Sequence, residues 1–145
     1  MSELRQLTNL RDFSISFNSF VGPVDLGSLT SLTSLSMENN NLSGTISTEV
    51  GSWTQLEKLV RQDNLMTGGL PSEIGSWTNI RELFMANIGM HSTIPTEIGL
   101  LQNLEKLDLG DQHFSGTIPS EVGYLTNLCK SEIPFKIMEV WQCYE

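Results

Sequence analysis

Few side chains in this sequence have the chemistry to act on a substrate. There are two imidazoles, His91 and His113, and two thiols, Cys129 and Cys143. A carboxylate row, Glu49, Glu73, Glu97 and Glu121, returns at a fixed interval of 24 residues. General acid–base work needs the base within hydrogen-bond reach of its target. The two histidines hold different slots of the repeat described below and are expected not to converge. Serines and threonines abound, but no G-x-S-x-G elbow and no placed base would activate one, and no glycine-rich phosphate loop is present. The glutamate row has the period of the repeat, so repetition of one edge explains it better than a catalytic carboxylate pair. Two cysteines are too few for a disulfide scaffold and wrongly spaced for a four-ligand zinc site; one terminal bridge and two free thiols both fit. The expectation is no catalytic residue, no metal and no cofactor. Asn41-Leu42-Ser43 is one glycosylation sequon, and Asn41 should point outward.

Composition narrows the function classes. The 145 residues suffice for one domain with a core. Eight Lys and Arg stand against 17 Asp and Glu, a formal net charge of -9. That balance supplies no basic stripe to displace counterions from a phosphate backbone, so nucleic acid is not an expected partner. No apolar run approaches the roughly 18–20 residues of a membrane span, and MSELRQLTNL lacks the regions of a signal peptide.

The elements that would position any site are set by an internal period. LTNL-like starts fall at Leu7, Leu29, Trp53, Trp77, Leu101 and Leu125: one interval of 22, then four of 24. Next comes an apolar row (Leu10, Leu32, Leu56, Ile80, Leu104, Leu128), then an alternating pair such as Leu35/Met37, Leu83/Met85 and Leu107/Leu109. Alternation over so short a span suits a strand with one buried face, and a period of this length predicts a solenoid whose copies stack. A polar slot follows (Asn18, Asn40, Asn64, Ile88, Gln112), where an amide can satisfy backbone groups as the chain turns inward. Trp53 and Trp77 fill inward leucine slots and are expected in the core.

On the segments NLSGTISTEVGSWTQL, GGLPSEIGSWTNI and FSGTIPSEVGYLTNL, the chain resembles leucine-rich repeats of the plant-specific type, with the pattern LxxLxxLxLxxNxLxGxIPxxLGxL. The match runs over about residues 3 to 128 and recurs five times. The resemblance implies an α/β leucine-rich-repeat solenoid, right-handed, with a parallel sheet on the concave face and short 3₁₀ or extended segments on the convex side. It also implies kinship with receptor-kinase ectodomains and with secreted, polygalacturonase-inhibitor-like proteins. An extracellular or cell-surface parent would follow, while the sequence itself leaves a cytoplasmic location open.

The departures generate further expectations. Residues 1–128 should be repeats and 129–145 a divergent cap or tail, read as an amphipathic helix from Ile133, Ile137, Met138, Trp141 and Tyr144. Glu3-Leu4-Arg5-Gln6-Leu7 matches the end of a repeat, so the chain is expected to be either a fragment of a longer receptor-like protein or a small autonomous one with a degenerate first copy. Arg61 holds the inward slot of Met37 and Met85; it should distort its strand or reach solvent along its aliphatic stem. Ile88 breaks the amide ladder, and Asn87 could replace it through a one-residue shift.

With the inward rows assigned, the outward rows remain. Ser14, Ser36, Val60, Phe84 and Asp108 form the central one, flanked by Asp12, Ser34, Lys58, Glu82 and Lys106 and by Ser16, Glu38, Gln62, Ala86 and Gly110. Val60 beside Phe84, rimmed by charge, has the anatomy of a binding hot spot. The expected function is non-catalytic recognition of a protein or peptide through Val60, Phe84, Glu38, Lys58, Glu82, Lys106 and Asp108. The alternative is inhibition of a secreted polysaccharide-degrading enzyme.

Overall fold

The structure, a computed structural model, describes residues 2–128, 135–137 and 140–142. Its strands are short because the apolar alternation in each copy is short. They are β1 (Asp12–Ser14), β2 (Val21–Pro23), β3 (Ser34–Ser36), β4 (Asn41–Gly44), β5 (Lys58–Val60) and β6 (Leu65–Met66). There follow β7 (Glu82–Phe84), β8 (His91–Ser92), β9 (Lys106–Leu109), β10 (His113–Phe114), β11 (Phe135–Ile137) and β12 (Val140–Gln142). The principal sheet runs β1-β3-β5-β7-β9-β11-β12. From β1 to β9 it is parallel, in the register that the sequence rows dictate: Ser14 against Ser36, Ser36 against Val60, Val60 against Phe84, Phe84 against Asp108. Leu35, Leu59, Leu83 and Leu107, one per strand, are buried beneath it, and each contributes about 1.5–3 kcal/mol by leaving water.

On the opposite side the chain forms 3₁₀ turns at Thr48–Ser52, Ser72–Ser76, Thr96–Leu100 and Ser120–Tyr124. Pro71, Pro95 and Pro119 open the last three with their φ already set. The turn at Ser2–Gln6 has the same place in its copy, as the match of residues 3–7 to 97–101 required. Between the two sides run smaller parallel ladders, β2-β4-β6 and β8-β10, which the sequence reading had treated as plain extended segments. Trp53 and Trp77 stack in the interior with centroids 6.2 Å apart, and their indole N–H groups donate to the carbonyls of Leu26 and Val50.

The amide ladder works as its residue type demands. Asn64 Nδ2 donates to the carbonyls of Met37, Arg61 and Gln62, and its Oδ1 accepts from the Leu42 N–H. Asn40 does the same for Ile15, Met37, Glu38 and Phe20, and Gln112 serves Met85 and Met90. Ile88 is fully buried, so this rung has no amide. No register shift brings Asn87 in as a substitute: its side chain donates to Asp63 Oδ1 at 2.9 Å instead. Asn87 belongs to a row in which Phe17, Asn39, Asp63, Asn87 and Asp111 all have φ near +55°, a conformation that Asn and Asp accept far more readily than Phe.

Three further expectations are corrected. The tail is not helical where it is described: β11 adds in parallel to β9, and β12 folds back antiparallel on β11. An open sheet edge offers these short alternating runs backbone partners that a marginal lone helix would lack. Cys129, Cys143, Ile133, Met138 and Tyr144 lie outside the described residues. Arg61 neither distorts its strand nor reaches solvent; its N–H donates to the Phe84 carbonyl at 2.8 Å, in step with Met37 and Met85, and it is 3% exposed. His91 and His113 do meet, as register partners in β8-β10. From β3 to β9 the concave ladder pairs residues 24 apart, whereas this one pairs residues 22 apart, so equivalent slots are not spatial neighbours there.

Candidate functional site

The concave sheet gathers most of the residues singled out by the sequence. Val60 and Phe84 are side by side on adjacent strands, each half-buried, with Ser36 and Asp108 as the next partners in the row. Leu59 and Leu83 beneath them are buried, which fixes the outward direction of both by strand alternation. The pair is an apolar island: its row continues through serines on one side and an acid on the other.

One strand position away lies a charged triad. Glu82 accepts from Lys106 Nζ at 2.6 Å through Oε1 and pairs with Lys58 Nζ at 3.0 Å through Oε2. The hydrogen bond from Lys106 is the main reason that the Glu82 carboxyl is held below the usual carboxylate range; Lys58 adds to it, against a partial burial that works the other way. The same bond raises the Lys106 ammonium above its ordinary value. The triad sets two amines against one carboxylate, on a chain that is acidic as a whole.

The other predicted residues are placed apart. Glu38 Oε2 accepts from Ser16 Oγ at 2.6 Å, toward the first strand. Asp108 Oδ1 accepts from the Gly110 N–H at 2.9 Å, so its carboxylate is tied to its own turn. Asn41 is exposed at the start of β4, outside the concave sheet. The glutamate row packs on the glycine row: Glu49 lies so close over Gly27 that a side chain there would collide with its carboxylate, and at Gly99 an added side chain would meet the Cβ and backbone carbonyl of Glu121. Among the described residues, no three His, Cys, Asp or Glu side chains form a cluster fit to hold a metal.

Two residues outside the predicted site stand out in the structure. Phe17, 74% exposed, stands at the flank of the concave face in the positive-φ row, a conformation that bulky side chains rarely adopt. Arg61 is buried without a carboxylate partner among the described residues; its Nη2 reaches only Met66 Sδ at 3.4 Å. Its occupation of a methionine slot was the available signal.

The leucine-rich-repeat family model matches residues 31–53 and 103–125. The chain is a leucine-rich-repeat solenoid. Among solved structures it is similar to the ectodomain of the plant membrane receptor kinase GASSHO1/SCHENGEN3 from Arabidopsis thaliana, in complex with CASPARIAN STRIP INTEGRITY FACTOR 2. That likeness has 35% identity and a TM-score of 0.83, and covers 86% of this chain and 15% of that one. It is also similar to the plant peptide hormone receptor RGFR1 in complex with RGF2, at 28% identity and a TM-score of 0.88, over 94% of this chain and 22% of that one. The ectodomain of the receptor kinase SOBIR1 from Arabidopsis thaliana matches at 27% identity and a TM-score of 0.75, over 80% of this chain and 65% of that one. The leucine-rich-repeat chain thus resembles receptor-kinase ectodomains while spanning only a fraction of the first two. No curated protein matches the sequence. Among the described residues, no helix is long and apolar enough to cross a membrane.

Proposed function

We propose that this solenoid is a non-catalytic recognition module that binds a protein or peptide across its concave sheet, centred on Val60 and Phe84. The observation that carries the reading is the in-register apolar pair within an otherwise polar row. A partner's apolar side chain would bury against the pair, while the Lys58–Glu82–Lys106 flank would favour an acidic neighbour through its two amines. The similarity to ectodomains in complex with a peptide hormone or with an integrity factor supports this use of the face, and with it an extracellular or cell-surface setting. A glycan on Asn41 would project from β4 and leave the concave sheet open.

The test starts by selecting binders from a displayed random-peptide library on the immobilised chain. Affinities are then measured for Phe84→Ala, Val60→Ser and a convex-side control, Thr96→Ala. Loss of at least tenfold for the first two with no change for the control is expected. Equal affinity across all three rejects the concave centre. Inhibition of a polysaccharide-degrading enzyme would use the same surface, and assaying pectin-cleaving enzymes with the purified chain separates that role from peptide recognition.

A further inference from the structure

Arg61 faces a cavity, and the cavity has a cause in the sequence. The first copy is two residues shorter than the others: between Val24 and the core residue Leu26 lies Asp25 alone, where the next copy places Ser47, Thr48 and Glu49 between Ile46 and Val50. The deletion removes the 3₁₀ turn that every later copy forms at this point. What remains is an opening of about 350 Å³, at the small end of the roughly 300–1,000 Å³ typical of small-molecule sites. Its inner wall is buried and apolar, made by Leu26, Met37, Val50 and Trp53, with Arg61 among them. Its outer wall includes the exposed Asp25 and Glu49, so the cavity runs from the convex surface into the core.

The chemistry of that interior is uneven. Arg61 Nε has no hydrogen-bond partner, and Nη2 has only a thioether, a weak acceptor. Thr45 and Ser47 add hydroxyls to the lining, and Trp53 Nε1, the other side-chain donor of the inner wall, is already committed to the Leu26 carbonyl. Burial lowers the Arg61 pKa to about 10, which still leaves it cationic at neutral pH. A buried guanidinium with unspent donors at the end of an apolar cleft is a defect as a core residue and a fit as a receptor.

We infer that this cleft binds a small organic monocarboxylate, its apolar body against Leu26, Val50 and Trp53 and its carboxylate on the Arg61 fork. Charge selects the class. Asp25, paired with Arg5, and Glu49 stand at the mouth, so a dianion such as phosphate would meet two acids for one buried cation. A single negative charge on a planar carboxylate matches one guanidinium, and the apolar wall rewards a hydrocarbon body that phosphate lacks. The site lies on the inward side of β5, whereas Val60 faces outward, so it is separate from the concave surface.

Calorimetric titration of the full chain with hexanoate and benzoate tests this, with hexanol, benzyl alcohol and inorganic phosphate as comparison probes. Both carboxylates should bind at least tenfold tighter than their alcohols, and phosphate should not compete. Arg61→Met should erase the preference for the acid while melting higher than the unliganded wild type, because a charge leaves the core. Val50→Phe, which fills the cleft and keeps the arginine, should abolish binding of acids and alcohols alike. Absence of carboxylate binding to the wild type overturns the inference. So does equal carboxylate affinity in either folded variant, or tighter binding of phosphate than of the carboxylates.

Discussion

The third and fourth copies share a backbone and differ in what they enclose. Beyond β5 the inward slots hold Arg61 and Asn64; beyond β7 the same slots hold Met85 and Ile88, and all four are buried. The register through β5, β7 and β9 is unchanged by the exchange. The comparison teaches that leucines such as Leu59 and Leu83 set the solenoid, leaving neighbouring slots free to carry polarity where a copy has a use for it. Asn64 uses that freedom to satisfy four backbone groups. The Arg61 side chain reaches only the Met66 thioether, and it faces the void left by the shortened first copy.

Substitutions can break this comparison at successive levels. Leu83→Ala should have the largest effect, about 3 kcal/mol of lost stability, because a fully enclosed leucine leaves a cavity; Leu59→Ala should match it, and denaturant midpoints of the two variants check the equality. Asn64→Leu should cost about 2–3 kcal/mol, since three carbonyls and the Leu42 N–H lose their partner inside the solenoid. Arg61→Met should move in the opposite direction, gaining about 1–3 kcal/mol by making the third copy resemble the fourth. A destabilised Arg61→Met would mean that the arginine has a structural partner. The smallest effect belongs to Glu82. Its folded-state pKa lies below the ordinary 4.5, so its contribution is present above that value and disappears as pH falls through the lowered one. Glu82→Gln should remove that acid-side slope, and added salt should weaken it in the wild type.

How much of this was legible depended on whether a feature repeats. The rows of leucine, the recurrence of the glutamates along one edge and the neighbouring of Val60 and Phe84 all follow from a 24-residue period that the residues display directly. The His91–His113 pairing was hidden because the second ladder slides by two residues relative to that period. The strands β11 and β12 were misread as helix because their apolar spacing is ambiguous and the edge of β9, a long-range partner, decides it. Arg61 was expected to distort its strand or to reach solvent along its stem, and it does neither. The space that lets it stay inside comes from a deletion more than a copy earlier, and no local pattern around residue 61 records it.

The central claim is that function resides where copies differ, on the sheet rather than on the turns. Methyl chemical shifts, recorded while a selected peptide is titrated into the chain, address it most directly. Val60 sits in the proposed centre, and Leu100, 54% exposed, sits on a convex 3₁₀ turn. Saturable shifts of the Val60 methyls with Leu100 unmoved are expected. Saturable shifts at Leu100 with a silent Val60 would contradict it.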